Sequence, residues 1–251
     1  MKKILFLFIL TLTVSTQANH GQNRFVEPVK GPFVKNDTLF FYRQLYVVDH
    51  DTCVSACYLE RDRSSESYKK YMNAFELDLK RGKTEYEYYY KSLKKMYSKP
   101  FIKHDLQGLP KEWLPLNSYK GHYYLDGMSY GFKMISDSLF IENYMDGPLP
   151  RIIKSIERKS DTMYVITCLQ GIEDKGNYVF TIYLFNREKG MAVWKEQMLN
   201  TDNKPSYWLM VTKEGATNFD LIDYITFEEV EGLTYDKVDY EGLIKDCLIP
   251  K

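Results

Sequence analysis

The amino-acid sequence predicts an α+β protein, in which an eight-strand antiparallel meander, arranged as a barrel or a sandwich, follows an N-terminal helical hairpin. Apolar residues recur at helical spacing between Ser64 and Ser98. After Pro115, short runs rich in β-branched and aromatic residues alternate with turn residues. Aromatic residues make up 16% of the 251 residues, which is typical of a chain with a folded core.

The chain begins with a segment typical of a secretory signal peptide. Lys2 and Lys3 precede an apolar run from Ile4 to Val14, and Thr16-Gln17-Ala18 forms an acceptable cleavage site. The run is shorter than the roughly 20 apolar residues that span a bilayer. We therefore predict that residues 1–18 are removed, that the mature protein is periplasmic or secreted, and that it has no membrane span.

Three parts are predicted after the signal peptide. Residues 19–115 hold a strand and the helical hairpin, residues 116–213 hold the β domain, and residues 214–251 form an acidic tail with a short helix. Basic and acidic side chains both number 34, which argues against nucleic-acid binding, because that requires a basic face. Residues 61–99 are nevertheless net basic, and residues 214–246 are net acidic. This asymmetry indicates either two solvated surfaces or a docking face for a charged partner.

The N-terminal part is predicted to contain one strand and two helices. Leu39 to Val48 predicts the strand. The first helix ends at Gly82, and the second begins with a capping box formed by Thr84 and Glu87 and ends before Pro100. The apolar stripes are Tyr68, Tyr71, Met72, Phe75 and Leu79 for the first helix and Tyr86, Tyr89, Tyr90, Leu93, Met96 and Tyr97 for the second.

The β domain is predicted as eight short strands joined by turns. Eight is a strand number at which an antiparallel sheet closes into a small barrel. Some strands are apolar on both faces, so a barrel interior and an outer layer of helix or tail would cover them. The predicted strands are Gly121–Asp126, Tyr130–Ile135, Leu139–Met145, Ile152–Glu157, Thr162–Leu169, Tyr178–Phe185, Met191–Lys195 and Tyr207–Thr212.

Residues 116–213 resemble a lipocalin-type, or calycin-like, β-barrel. The likeness is carried by the meander and by its opening, Tyr119-Lys120-Gly121-His122-Tyr123-Tyr124. In this opening Gly121-His122-Tyr123 matches the position of the lipocalin Gly-x-Trp motif, with tyrosine in place of tryptophan. The resemblance implies a barrel that holds a small apolar ligand. For residues 25–115 we recognise no family.

Four cysteines follow the predicted cleavage site, namely Cys53, Cys57, Cys168 and Cys247. In an exported protein, an even number of cysteines indicates disulfides, and four allow three pairings. Cys53 and Cys57 could form a local bridge if the chain bends there, and the remaining pair would then join a barrel strand to the tail, as lipocalins often do. The alternative is a metal site of His50, Cys53 and Cys57, which lacks a fourth ligand.

No catalytic motif is present, and we name no catalytic residue, metal or cofactor. Trp194, Trp208 and Tyr183 are the candidate ligand-binding residues, because large aromatic side chains line binding cavities as well as cores. The leading interpretation is an exported bacterial binding protein that holds a small apolar ligand or a partner protein without catalysis. An inhibitor or envelope assembly factor is the alternative, and a glycan or peptidoglycan hydrolase is a third.

Overall fold

The computed structural model describes residues 24–25, 29–48, 51–225 and 233–248. The chain divides into two compact units, residues 1–58 with 224–232 and residues 59–223 with 233–251. The predicted signal peptide, residues 1–18, and His50 of the alternative metal site lie outside the described residues.

The first unit is an antiparallel sheet built around one long strand. Its strands are β1 (Arg24–Phe25), β2 (Val29–Lys35), β3 (Thr38–Val48) and β4 (Asp51–Glu60), of which the last two residues belong to the second unit. Strand β3 pairs with β1, β2 and β4, which confirms the strand predicted from Leu39. Asn36 and Asp37 both have positive φ, as a tight hairpin turn requires.

The second unit contains a closed barrel of eight antiparallel strands. Each strand pairs with the next along the chain, and the last closes on the first, so the barrel is a meander. This arrangement is consistent with the predicted lipocalin-like barrel. The strands are β5 (Glu112–Pro115), β8 (Lys133–Ile135), β9 (Leu139–Tyr144), β10 (Gly147–Ser160), β11 (Met163–Cys168), β12 (Tyr178–Asn186), β13 (Met191–Met198) and β14 (Ser206–Thr212).

Seven of the eight predicted strands overlap these barrel strands, but the predicted first strand does not belong to the barrel. It corresponds to β7 (His122–Asp126), which pairs with β6 (Asn117–Tyr119) and runs parallel to β15 (Leu221–Ile225). The first barrel strand is instead β5, in which Pro115 ends the strand and Trp113 points into the barrel core. The Gly121-His122-Tyr123 segment therefore lies outside the barrel.

The predicted helical region forms three helices, α1 (Glu66–Met72), α2 (Ala74–Arg81) and α3 (Lys83–Tyr97). The predicted first helix is interrupted at Asn73, and α3 begins after Gly82 without the predicted capping box. A hairpin of two helices is not supported, because the region forms three helices; α2 and α3 both contact β10 of the barrel. Gly82 is required at this contact, since a Cβ there would lie 2.6 Å from Cδ of Pro148.

The end of the chain adds two short helices, α4 (Lys213–Ala216) and α5 (Tyr240–Leu248). Helix α5 is the predicted C-terminal helix and covers the outer side of β12 and β13, where Tyr240 stacks on Tyr207 at 5.5 Å. Among the described residues, no helix has both the length and the apolar composition needed to cross a membrane.

The predicted disulfides are wrong: in the described part of the chain, no two cysteines are bonded. Cys53 and Cys57 lie on the same extended strand, where four residues cover about 13 Å. A disulfide tolerates a Cα separation of about 7 Å at most. Cys247 contacts Thr162 before the start of β11, whereas Cys168 is at the far end of that strand.

We expect Leu93→Ala to destabilise the protein strongly. Leu93 is fully buried between α3 and the outer side of the barrel, against Leu139, Ile141 and Ile152. The truncation should lower the free energy of unfolding by about 2–5 kcal/mol in urea denaturation. Met96→Ala on the exposed side of the same helix is the control and should change it by about 0.5 kcal/mol or less. Equal losses in both variants would contradict the packing of α3.

Candidate functional site

The middle of the barrel is filled by large aromatic side chains. Trp113, Phe140, Phe180 and Trp194 are all at most 1% exposed. The ring centroids of Phe140 and Phe180 are 4.2 Å apart, and those of Trp113 and Trp194 are 5.3 Å apart. Such close ring contacts occupy the interior at this level, so the structure favours binding at an end of the barrel over binding in its middle.

One end of the barrel is closed by residues 101–111. Leu106 and Leu109 of this segment pack against the aromatic core. The backbone N–H of His104 donates to the carbonyl of Asp137 at 2.7 Å, and its Nε2 lies 3.1 Å from the carbonyl oxygen of Ile153. His104 is thus used in closing this end of the barrel, whereas residues 101–111 do not cover the opposite end.

At this opposite end, three charged side chains point into the barrel. Side chains two residues apart on a strand lie on the same face, so each of these charges shares the inner face with an apolar core residue. Lys133, Glu142 and Arg151 are each only 2% exposed. The two residues that share the inner face are Lys133 and Ile135 on β8, Glu142 and Phe140 on β9, and Arg151 and Ile153 on β10.

Glu142 bridges the two buried cations. One of its carboxylate oxygens pairs with Nζ of Lys133 and the other with Nη1 of Arg151. The hydroxyl of Tyr144 also donates to the second oxygen, at 2.8 Å. Arg151 is further held by Asp174, whose Oδ2 lies 2.9 Å from Nε of the guanidinium. We call Lys133, Glu142, Arg151 and Asp174 the charge network.

Asp174 reaches the network because the loop between β11 and β12 folds over this end of the barrel. Its Oδ2 accepts from the backbone N–H of Gly171 at 2.9 Å, and its backbone carbonyl accepts from the side chain of Gln170 at 2.7 Å. A Cβ at position 171 would lie 2.4 Å from Asp174 Oδ2, so any residue other than glycine would displace this carboxylate. The Arg151 guanidinium also lies 4.4 Å from the ring centroid of Tyr178, so this side of the barrel end is covered.

The network keeps Glu142 ionised. Burial alone would raise its pKa, but the charges of Lys133 and Arg151, with the hydrogen bonds from Lys133 and Tyr144, outweigh burial and lower the pKa to about 2. Burial and the charge of Glu142 together raise the pKa of the Tyr144 hydroxyl. Tyr144 therefore remains a hydrogen-bond donor at neutral pH.

The side of the barrel end formed by β13 and β14 carries a third carboxylate, that of Glu196 on β13. Its Oε2 accepts from Nε1 of Trp208 on the neighbouring strand, at 3.2 Å. Burial and the negative charge of Glu142 raise the pKa of Glu196, and Lys133 and Arg151 offset this only in part. Trp208 contacts the network as well, because Nζ of Lys133 is 5.4 Å from its ring centroid.

Large apolar side chains are exposed around this end. Trp208 is 39% exposed and lies against the loop between β7 and β8, since a Cβ on Gly131 would be 3.9 Å from Trp208 Cζ3. The backbone N–H of Gly131 donates to the carbonyl of Asn143, which connects this loop to β9. We call the exposed set the rim surface: Met128, Tyr130, Tyr144, Met145 and Trp208.

The structure brings together two of the three residues predicted to bind a ligand. Trp194 and Trp208 are cross-strand partners, and both rings lie within 6 Å of Lys133 Nζ. Trp194 is fully buried, with no hydrogen-bond partner for its Nε1 among the described residues, so Trp208 alone of the two reaches the surface. Tyr183 lies on the outer face of β12, next to the inward-facing Ile182, and is separate from this site.

The other candidate groups do not form a site. Cys168 is buried in the barrel core, and burial raises the pKa of its thiol, which makes it a poor nucleophile. His122 is exposed on β7. Within the described residues, no three histidine, cysteine or acidic side chains are grouped so that they could hold a metal ion.

Searches against protein-family models, curated protein sequences and solved structures gave no match to this chain.

We expect Glu142→Gln to destabilise the fold strongly, because it leaves Lys133 buried without a counter-charge. Loss of one partner of a buried ion pair lowers the free energy of unfolding by about 3–5 kcal/mol. Glu157→Gln removes an exposed carboxylate paired with Lys159 and is the control, with an expected change of about 0.5 kcal/mol or less. Similar denaturation midpoints for the two variants would contradict the role of Glu142.

The pH dependence of stability separates the two glutamates. Glu142 has a lowered pKa in the folded protein, so its contribution is complete above pH 4.5 and disappears as the pH falls towards about 2. Glu196 has a raised pKa, so it lowers stability as the pH rises above 4.5. We expect Glu196→Gln to raise Tm at pH 7, with a smaller gain at pH 4. A lower Tm at pH 7 would contradict this.

Proposed function

We propose that the protein is an exported, non-catalytic bacterial binding protein that binds a partner protein through the rim surface. The observation that carries this proposal is the group of exposed aromatic and methionine side chains at one end of the barrel. Exposed apolar patches on folded proteins mark interaction sites, and aromatic residues and methionine are enriched in interfaces. Export is inferred from the first eighteen residues.

The packed interior supports a partner protein over a small apolar ligand. A lipocalin-like ligand would need space inside the barrel, and Trp194, Phe140 and Phe180 occupy it. The rim surface is held on rigid elements instead. Trp208 lies on β14, which is paired on both sides within the closed barrel, and Tyr144 is fixed by its hydrogen bond to Glu142. Preorganised aromatic side chains lower the entropy cost of association.

The site argues against a glycan hydrolase. Glycoside hydrolysis uses two carboxyl groups that both contact the substrate. Glu142 and Glu196 have pKa values shifted in opposite directions, as an acid and its ionised partner would. Glu142, however, is 2% exposed, and both of its oxygens are engaged by Lys133, Arg151 and Tyr144. It has no free oxygen with which to contact a substrate.

Site-specific photo-crosslinking tests the proposal. A benzophenone amino acid placed at Met145, which is 78% exposed on the rim surface, should give an adduct with a specific envelope or extracellular protein. The same group at Glu188, exposed in the turn between β12 and β13 at the other end of the barrel, is the control and should not.

The protein captured in the adduct is then purified and its binding measured directly. Trp208→Ala should weaken that binding by about tenfold or more, because exposed aromatic anchors dominate interface energies. Glu188→Ala should leave it unchanged. The same adduct from both positions, or undiminished affinity of Trp208→Ala, would overturn a rim-based function.

A further inference from the structure

The charge network leaves one carboxylate of the site without a cation. Lys133 and Arg151 carry two positive charges, and Glu142 and Asp174 supply two negative charges that contact them directly. Glu196 adds a third carboxylate, so the site has one excess negative charge when Glu196 is ionised. Within the described residues, the hydrogen bond from Trp208 is the only one to the Glu196 side chain.

The position of Glu196 places this unbalanced charge beside the rim surface. The carboxylate is bonded to the indole N–H of Trp208, and Trp208 is 39% exposed. Lys133 is near the same ring but is neutralised by Glu142. The groups that act on the Glu196 carboxylate are the indole of Trp208 and three members of the charge network, namely Glu142, Lys133 and Arg151.

These features match one kind of group on a partner. A guanidinium is planar, stacks on the face of an indole and donates two parallel hydrogen bonds to a carboxylate. It is also more weakly hydrated than an ammonium, so it is easier to place in a half-buried position. A neutral apolar anchor would cover Trp208 but would leave Glu196 desolvated and without a counter-charge.

We propose that the rim surface anchors an arginine side chain of the partner, with its guanidinium stacked on Trp208 and paired with Glu196. This inference rests on the proposed function and names the chemistry of the partner. Arginine neutralises the excess charge of the site. It also accounts for a carboxylate at the barrel rim that has no salt bridge among the described residues.

The test uses the full mature protein labelled with nitrogen-15 and the probe N-acetyl-arginine amide. The indole N–H signals of Trp113, Trp194 and Trp208 report separately, and the first two are buried. We expect a saturable shift of the Trp208 signal at millimolar probe, with the other two unchanged. N-acetyl-citrulline amide, which is nearly isosteric but uncharged, should give no saturable shift.

The variant Glu196→Gln keeps a similar side-chain shape and should weaken the response to the arginine probe by about fivefold or more. Glu188→Gln, at the other end of the barrel, should respond as the wild type does. Unchanged Trp113 and Trp194 signals show that each variant is folded. An equal response of Glu196→Gln and wild type, or an equal response to the citrulline probe, would overturn the arginine anchor.

The two proposals fail in different ways. If the crosslinked partner binds with a strong dependence on Trp208 but equally well to Glu196→Gln, the rim-based function stands and the arginine anchor is wrong. If N-acetyl-lysine amide shifts the Trp208 signal as strongly as the arginine probe does, the choice of a guanidinium is wrong. If the arginine probe gives no shift and no partner is crosslinked at Met145, both proposals are wrong.

Discussion

The carboxylate of Glu142 is the interaction on which this end of the barrel depends. It joins Lys133 on β8 to Arg151 on β10, and it lies between them on β9. Because Arg151 also holds Asp174, the same bridge fastens the loop between β11 and β12 over the barrel. Removal of this one charge would leave cations buried among aromatic rings, where an unpaired charge costs several kcal/mol. A single side chain therefore connects strands β8, β9 and β10 to the loop between β11 and β12.

The bridge also makes the barrel end asymmetric. On the side of β10, Asp174 and Tyr178 cover Arg151, and the charges are balanced. On the side of β13 and β14, the carboxylate of Glu196 accepts a hydrogen bond from the indole N–H of Trp208, and it has no salt bridge among the described residues. The two sides of this barrel end therefore differ in how well their charges are balanced. A covered, balanced side contributes order, whereas a half-open side with an unbalanced carboxylate is suited to binding.

Particular residues show how far the sequence predicts this structure. The short β-branched and aromatic runs correctly predict seven strands of the barrel, since strand composition and the turn residues that bound it are local properties of the sequence. Strand β5 is not predicted, because it is only four residues long and ends in Pro115, and a proline argues against a strand within a sheet. The disulfide prediction fails because pairing depends on the distance between strand positions, which spacing in the sequence does not determine.

The charge network was missed for a related reason, and that reason bears on function. A lysine, a glutamate and an arginine on different strands are normally interpreted as outward-facing residues. Yet each is separated by two positions from a buried residue, Ile135, Phe140 or Ile153, so strand parity already places it inside. Apolar residues of similar volume could fill such positions at equal or better stability. Stability therefore does not account for the network, whereas its contacts with Tyr144 and Trp208 hold two side chains of the rim surface in fixed positions, as the proposed binding function requires.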